Sequence, residues 1–250
     1  MEDLEFGPLS SPIDLLEDLH THSTFSDGRG TLEENLARAA SLGLRRLGCV
    51  DHVRRDTDWL PAFVRSVDAL RRDAPLEIVL GVEAKLLDES GRLDAPPDLG
   101  GVDRVYVADH RLPLGDRCLG LSEARRAIRS GELNNRRIID ALIGATRRAM
   151  EQTPRVVIAH LFSLLPKLGI SEDDVPIEQI RSLAVTARQA GAWLELDERW
   201  RCPGTRTARV FLEAGVPVVA SSDAHRVQHI GAYRWLPGVA GELKAATCSG

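Results

Sequence analysis

The chain has 250 residues, of which 43% are hydrophobic and 28% are charged, and its formal net charge is −5. This composition is ordinary for a globular protein with a sizeable core. Proteins that bind long nucleic acid usually carry an excess of basic residues, which this chain lacks. We therefore expect no long nucleic acid as a partner.

The ends of the chain and its cysteines bear on where the protein works. No run of about 18 apolar residues is present, which argues against a membrane span. The acidic start MEDLEFGPLSSPIDLLED lacks the basic and apolar regions of a secretory signal. The four cysteines form no CxxC pair and are typical of reduced thiols: Cys49, Cys118, Cys202 and Cys248. We expect a cytoplasmic protein that does not partner with a membrane.

Seven short apolar runs have the length and composition of buried strands. In chain order they cover residues 13–19, 46–51, 76–82, 102–108, 155–159, 192–196 and 216–220. Helical patterns separate most of them, at residues 31–42, 59–72, 122–150 with a break at Gly131, 177–189 and 205–213. The first helix begins with a capping box formed by Thr31 and Glu34. The tail from residue 232 to 250 fits either a last helix or a frayed end.

This alternation of strands and helices predicts an α/β fold with a parallel sheet. About seven units follow one another without a linker, which favours a closed TIM-like barrel over an open sheet. We expect one domain over residues 1–250.

Six of the seven histidines follow a predicted strand. They are His20, His22, His52, His110, His160 and His225. The third strand ends with a carboxylate instead, Glu83. The carboxyl ends of the strands form the active-site face of a parallel barrel, so these side chains should meet at one mouth. His229 falls outside the pattern and is expected at the surface or behind the ligands.

This set of residue types suits a metal centre. Imidazoles and carboxylates together bind zinc, iron or manganese. In HxH the two side chains point the same way along a strand, so both reach one ion. Asp27 and Asp223 bring the donors to nine, more than the four to six of one ion, and so two or three ions are expected. Thiolates are absent from the set, which argues against a closed structural zinc site.

The ordered motifs DLHTHSTFSDG, VDH, GVE, ADH, VVIAH and SSDAH resemble those of the PHP (polymerase and histidinol phosphatase) family. The resemblance covers about residues 16–232. It implies a distorted (β/α)7 barrel with two or three divalent metal ions. Members of the family include histidinol-phosphate phosphatases, other small-molecule phosphoesterases, nucleotide exonucleases and proofreading domains of bacterial DNA polymerases.

Carried over to this sequence, the resemblance implies three ligand groups. The first is His20, His22, Glu83 and Asp223; the second is Glu83, His110 and His160; the third is Asp27, His52 and His225. The residues expected to carry catalysis are His20, His22, Glu83, Asp223 and His225. Two features depart from the family pattern: Leu161 and Phe162 follow His160 where proline is frequent, and Asp109 precedes His110.

The resulting hypothesis is a phosphomonoesterase acting on a small phosphorylated metabolite, as histidinol-phosphate phosphatases do. Metal ions lower the pKa of a bound water toward about 7 and so supply hydroxide at neutral pH. The resemblance places a phosphate-binding arginine in the loop that holds Arg199 and Arg201, and Lys167 lies in the loop after His160. Trp200, between Arg199 and Arg201, either stacks on a substrate ring or packs against the protein.

Three alternatives remain open at this stage. One is a phosphodiesterase or exonuclease acting on short or cyclic nucleotides with the same metals. Another is a non-catalytic regulatory barrel that keeps metals for folding. The third is an amidohydrolase, which often uses a carboxylated lysine at a strand end, a position that Lys85, Lys167 and Lys244 do not clearly take.

Overall fold

A parallel barrel forms the centre of the computed structural model, which describes residues 12–247. The strands in this part of the chain are β1 (Glu17–Thr21), β2 (Arg46–His52), β3 (Glu77–Lys85), β4 (Arg104–Ala108), β5 (Leu112–Leu114), β6 (Arg117–Leu119), β7 (Val156–Ala159), β8 (Trp193–Asp197) and β9 (Val218–Ser221). The helices are α1 (Leu32–Ser41), α2 (Leu60–Arg71), α3 (Leu121–Arg129), α4 (Asn135–Gln152), α5 (Ile177–Gln189), α6 (Thr205–Glu213) and α7 (Leu236–Thr247).

Seven of these strands form one parallel sheet in the order β1-β2-β3-β4-β7-β8-β9. A short bridge closes the sheet into a barrel, because the amide of His22 donates to Ala224 O at 2.8 Å. Two carboxylates complete this seam. Glu17 accepts from the Ala220 amide at 3.1 Å, and Asp18 accepts from the Ser222 amide at 2.8 Å. The expected distorted (β/α)7 barrel is therefore confirmed, with an irregular β1–β2 register and only a single bridge between the ends of β9 and β1.

The predicted elements are confirmed within a few residues. Thr31 caps α1 and forms the capping box with Glu34. The predicted 122–150 segment is two helices, α3 and α4, and Gly131 lies between them with φ 79°. Two features were not predicted as such: the β5–β6 hairpin has strands of only three residues, and the undecided tail forms α7.

The barrel interior is filled by side chains from most of its strands, including Leu19, Val50, Val79, Tyr106 and Val157. Larger apolar clusters lie between the barrel and the outer helices. Gly48 lets β1 approach β2 closely, because a Cβ at this position would lie 2.0 Å from Leu19 O. The register between these strands shifts between Asp18 and Thr21.

Among the described residues, no helix is both long and apolar enough to cross a membrane. The first eleven residues, on which the signal-peptide expectation depends, and Cys248 lie outside the described part of the chain. The other three cysteines are free thiols.

Candidate metal centre

The nine predicted ligands lie at the carboxyl end of the barrel, where they form a cup. β1 supplies His20 and the residue after it supplies His22. β2 ends at His52, and Glu83 lies two residues before the end of β3. The other members follow strand ends or lie on the loop after β1: Asp27, His110, His160, Asp223 and His225.

Glu83 lies at the centre of the cup and is only 2% exposed. Its Oε1 atom lies 3.0 Å from His160 Nε2 and 3.1 Å from His110 Nε2. Three further histidine nitrogens lie 2.8–3.5 Å from Oε2, those of His52, His20 and His22. The two carboxylate oxygens thus face different sets of histidines, which is the geometry expected of a carboxylate shared by two ions.

Asp27 marks a second side of the cup. Its Oδ1 atom lies 3.3 Å from His225 Nε2 and 3.6 Å from His52 Nε2. Together with His22, these residues form a group whose donor atoms all lie within 4.8 Å of one another. Gly28 makes this loop possible, because a Cβ there would lie 2.4 Å from the backbone of His22. The structure therefore adds His22 to the group of Asp27, His52 and His225 that the family resemblance implied.

Three further groups satisfy the same distance limit. One of them joins His20 to Glu195 and Asp197, and the other two consist of predicted ligands alone. One contains His20, His22 and Asp223, and the other contains His52, Glu83 and His110. Both overlap the expected groups, and the second places His52 beside Glu83 as well as beside Asp27. His160 joins the cup through Glu83.

Several buried nitrogen and oxygen atoms in the cup have no hydrogen-bond partner. They are His20 Nε2, His22 Nδ1, His160 Nδ1 and Glu83 Oε2. A buried polar atom without a partner costs about 1–3 kcal/mol, so such atoms are rare in native proteins unless a ligand engages them. Imidazole nitrogens and carboxylate oxygens are also the donors that divalent transition metals prefer. The residues present therefore fit a metal centre.

The carboxylates of the cup are ionised, and its histidines differ in protonation. Burial lowers the pKa of His22 to about 4, so its imidazole is neutral near pH 7. Burial opposes the ionisation of Glu83, yet the charge of His20 and hydrogen bonds from His110 and His160 hold its pKa well below the usual range. The hydrogen bond from His225 lowers the pKa of Asp27 to about 2. The neighbouring carboxylates raise the pKa values of four other histidines against the effect of burial: His20, His52, His160 and His225. A metal ion would have to displace protons from such imidazoles, because ligands bind in their deprotonated form.

Two ligand residues have an unusual backbone conformation. His160 has φ 32° and Asp223 has φ 48°, both in the left-handed region that residues other than glycine rarely adopt. Such conformations are concentrated at functional sites, where the surrounding structure holds them. In both cases the turn follows a barrel strand and directs the side chain into the mouth.

Buried carboxylates behind the ligands were missed by the sequence reasoning. Glu195 Oε1 lies 2.7 Å from His20 Nδ1, and its Oε2 accepts from the His160 amide at 2.6 Å. Glu195 therefore orients two of the expected ligands. The signal for it was present, since Glu195 is the one charged residue of the predicted strand 192–196.

Asp51 and Asp109 also support the cup from behind. Asp51 accepts hydrogen bonds from the Ser23 amide and hydroxyl at 3.0 Å and 2.6 Å, and so anchors the loop that carries Asp27. Asp109 is buried, with Oδ1 3.5 Å from His160 Nδ1. Asp109, one of the two departures from the family pattern, thus lies behind the ligand His160.

The three expected substrate contacts have different positions. Arg199 Nη1 lies 3.0 Å from Asp223 Oδ2 and 2.8 Å from His225 Nδ1. Lys167 lies at the rim, with Nζ 3.6 Å from the centre of the Trp200 ring. Arg201 is exposed, and within residues 12–247 no hydrogen bond or ion pair joins it to the cup.

Pockets open on two sides of the cup. One of about 490 Å³ is lined by His52, His110, the aromatic rings of Phe25 and Trp59, and Arg54, among others. The other, of about 440 Å³, adjoins Asp223 and His225. It is bordered by cationic or basic side chains, those of Arg199, Arg226, His229 and Arg234. The exposed His229 therefore lines a pocket beside the ligands and is not one of them.

The fold and the site together define a parallel α/β barrel with a histidine- and carboxylate-rich centre of the metal-binding type. The family model described as "PHP domain" matches residues 18–163, more than half of the chain. The chain belongs to the PHP domain family.

A curated relative and two solved structures resemble parts of this chain. A phosphoribosyl 1,2-cyclic phosphate 1,2-diphosphodiesterase of Eggerthella lenta is 38% identical over 79 residues, which is 31% of this chain and 28% of that protein. A D-hydantoinase structure has a TM-score of 0.42 at 13% identity, covering 82% of this chain and 45% of the other. An N-isopropylammelide isopropylaminohydrolase from Burkholderia multivorans has a TM-score of 0.42 at 17% identity, covering 85% and 55%. At these scores neither structure bears on function.

Proposed function

We propose that this protein is a metal-dependent hydrolase of phosphate esters and that its substrate is a phosphomonoester of a small metabolite. The observation that carries the proposal is the position of Glu83 between two sets of histidines, with buried donor atoms that have no other partner. Membership of the PHP family supports the general class, a hydrolase of phosphate esters, and so does the name of the Eggerthella lenta relative.

Nine residues would hold two or three divalent ions, zinc, manganese or iron: His20, His22, Asp27, His52, Glu83, His110, His160, Asp223 and His225. When bound, such ions lower the pKa of a coordinated water and neutralise charge on a phosphoryl group. Glu195 fixes the ring of His20, and Asp51 fixes the loop of Asp27, so these ligands are held in place before substrate arrives.

Cationic side chains at the rim would bind the phosphoryl oxygens. Arg199 uses one guanidinium nitrogen for Asp223 and His225, and its side chain is 46% exposed. Its other nitrogens remain available to a phosphate, for which the planar guanidinium is well suited. Lys167 adds a second cation beside Trp200. Arg201 is the weakest of the three candidates, because it has no contact with the cup among the described residues.

The test is phosphate release from a panel of phosphorylated metabolites by protein supplied with manganese or zinc. We expect turnover with metal and loss of turnover when a chelator removes it. Activity that persists after complete metal removal, with elemental analysis as the check, would contradict the proposal. High metal content without turnover of any phosphate ester would instead favour the non-catalytic barrel.

A phosphodiesterase is the second candidate, and the two pockets favour it. A diester carries a group on each side of its phosphorus, and a pocket lies on each side of the cup. The curated relative is named as a diphosphodiesterase of a cyclic phosphate. Turnover of an aryl monoester compared with the matching aryl diester separates the two, because a monoesterase strongly prefers the first.

A further inference from the structure

Trp200 contacts the metal centre through its ring nitrogen. The indole Nε1–H donates to Asp223 Oδ2 at 2.9 Å, and Arg199 Nη1 lies 3.0 Å from the same oxygen. The other oxygen, Oδ1, faces His22 Nε2 at 3.1 Å. The carboxylate of Asp223 is therefore divided between two donors on its outer side and the cup on its inner side.

Trp200 is itself held in place from several directions. Its backbone amide donates to Asp197 Oδ1 at 2.7 Å, and Asp197 is a buried residue at the end of β8. Lys167 Nζ lies 3.6 Å from the ring centre, a cation–π contact that holds the exposed face. Trp200 is 38% exposed and belongs to none of the apolar clusters of the described residues, so core packing does not explain this set of contacts.

A hydrogen bond on one oxygen of a carboxylate sets the direction in which the other oxygen points. Residues that orient metal ligands in this way typically change metal affinity by about 10–100-fold when they are replaced. Asp223 has particular need of such support, because its backbone lies in the left-handed region with φ 48°.

We propose that Trp200 is a positioning residue that holds Asp223 Oδ1 toward a divalent ion in the cup. Its fluorescence emission should therefore change when this ion binds. The proposal rests on the metal centre of the proposed function and not on the ester that is hydrolysed. Trp200 does not touch the reacting atoms, so its effect is exerted through Asp223.

The experiment replaces Trp200 by Phe, which removes the N–H group and keeps a ring for Lys167. Trp193→Phe is the matched control. Trp193 begins β8, at the opposite end of the barrel, and it too has a cation on its face, with Arg104 Cζ 3.5 Å from the ring centre. Manganese and zinc affinities are measured by titration against a competing chelator. Ligand geometry is read from the absorption spectrum of the cobalt-loaded protein, and thermal unfolding of the metal-free variants checks the fold.

We expect Trp200→Phe to weaken the binding of one ion by about 10–100-fold and to alter the cobalt spectrum, whereas Trp193→Phe changes neither. Ion binding should change the tryptophan emission of the wild type and of Trp193→Phe, and this response should be smaller in Trp200→Phe, which keeps Trp59 beside the cup. Unchanged or tighter binding by Trp200→Phe overturns the proposal, and so does an equal loss in both variants. A wild type that binds no ion overturns it together with the metal centre. If the affinity shift is found but no phosphate ester is hydrolysed, only the proposed function fails.

Discussion

Glu17 and Glu83 lie at opposite ends of the barrel, and each is only 2% exposed. Both oxygens of Glu17 accept hydrogen bonds, Oε2 from Arg46 at 2.9 Å and Oε1 from the Ala220 amide at 3.1 Å. Glu83 instead faces five histidines, whose nitrogens lie 2.8–3.5 Å from its oxygens, and no arginine or backbone amide of the described residues donates to this carboxylate. Two equally buried carboxylates therefore differ in their partners. Glu17 hydrogen-bonds across the seam of the barrel, whereas Glu83 is available to bind ions.

The ionisation of the two carboxyl groups follows the same division. Burial raises the pKa of Glu17 to about 7, and its single arginine partner only partly opposes this. The histidines around Glu83 overcome the same effect of burial and hold its pKa well below the usual range. The mouth thus keeps a buried negative charge, which is what a cation site requires.

The strongest test of this comparison is the same substitution at both ends. Glu83→Gln should lower metal-dependent phosphate release by about 10³-fold, because several kcal/mol of charge stabilisation are lost and each 1.36 kcal/mol is a factor of ten. Glu17→Gln should leave the rate within about twofold. Glu77→Gln is a second control, since Glu77 begins the strand that carries Glu83. Steady-state kinetics with bound metal measured in each sample decide the outcome, and a Glu83 variant of full activity would remove the basis of the comparison.

Glu195→Gln tests whether buried carboxylates behind the ligands matter as much as the ligands. The variant removes the negative charge that orients His20 Nδ1 at 2.7 Å and keeps the shape of the side chain. We expect metal affinity to fall by about 10–100-fold. Chelator competition measures the affinity, with Glu77→Gln as the control. Wild-type affinity in the Glu195 variant would show that the cup needs no support from β8.

The fold and most of the cup could be predicted because short-range signals determine them. His20, His52 and Glu83 each lie at the end of an apolar run, and parallel strands bring such ends together. The partners of these residues were harder to find. Glu195 orients His20 from a position 175 residues away, which no local pattern specifies.

Side-chain direction in loops was also beyond the sequence. Arg199 and Arg201 were equivalent candidates, two residues apart. Only Arg199 contacts Asp223, because Arg201 lies in a left-handed turn with φ 53° and is exposed.

Metal removal tests whether ions bound in the cup stabilise the folded protein. A ligand at about 100 times its Kd stabilises the folded state by about 2.7 kcal/mol. For a protein of this size, that raises Tm by about 5–10 °C. Thermal unfolding with and without manganese or zinc should show this shift in the wild type and in Glu17→Gln, but not in Glu83→Gln. An equal shift in the Glu83 variant would indicate binding elsewhere.

The pH dependence of stability tests the other end of the barrel and has the smallest expected effect. The pKa of Glu17 is about 7 in the folded protein and about 4.5 ordinarily, with Arg46 opposing the rise and Asp14 adding to it. Because the folded pKa is the higher one, the contribution of Glu17 is fully present below about pH 4.5 and is lost as the pH rises through 7. Between pH 5 and pH 8 the free energy of unfolding should therefore fall further in the wild type than in Glu17→Gln, by about 2.5 kcal/mol. Urea unfolding of both metal-free proteins measures the difference. Equal pH slopes would mean that Arg46 fully compensates the buried charge, and the contrast with Glu83 would then rest on geometry alone.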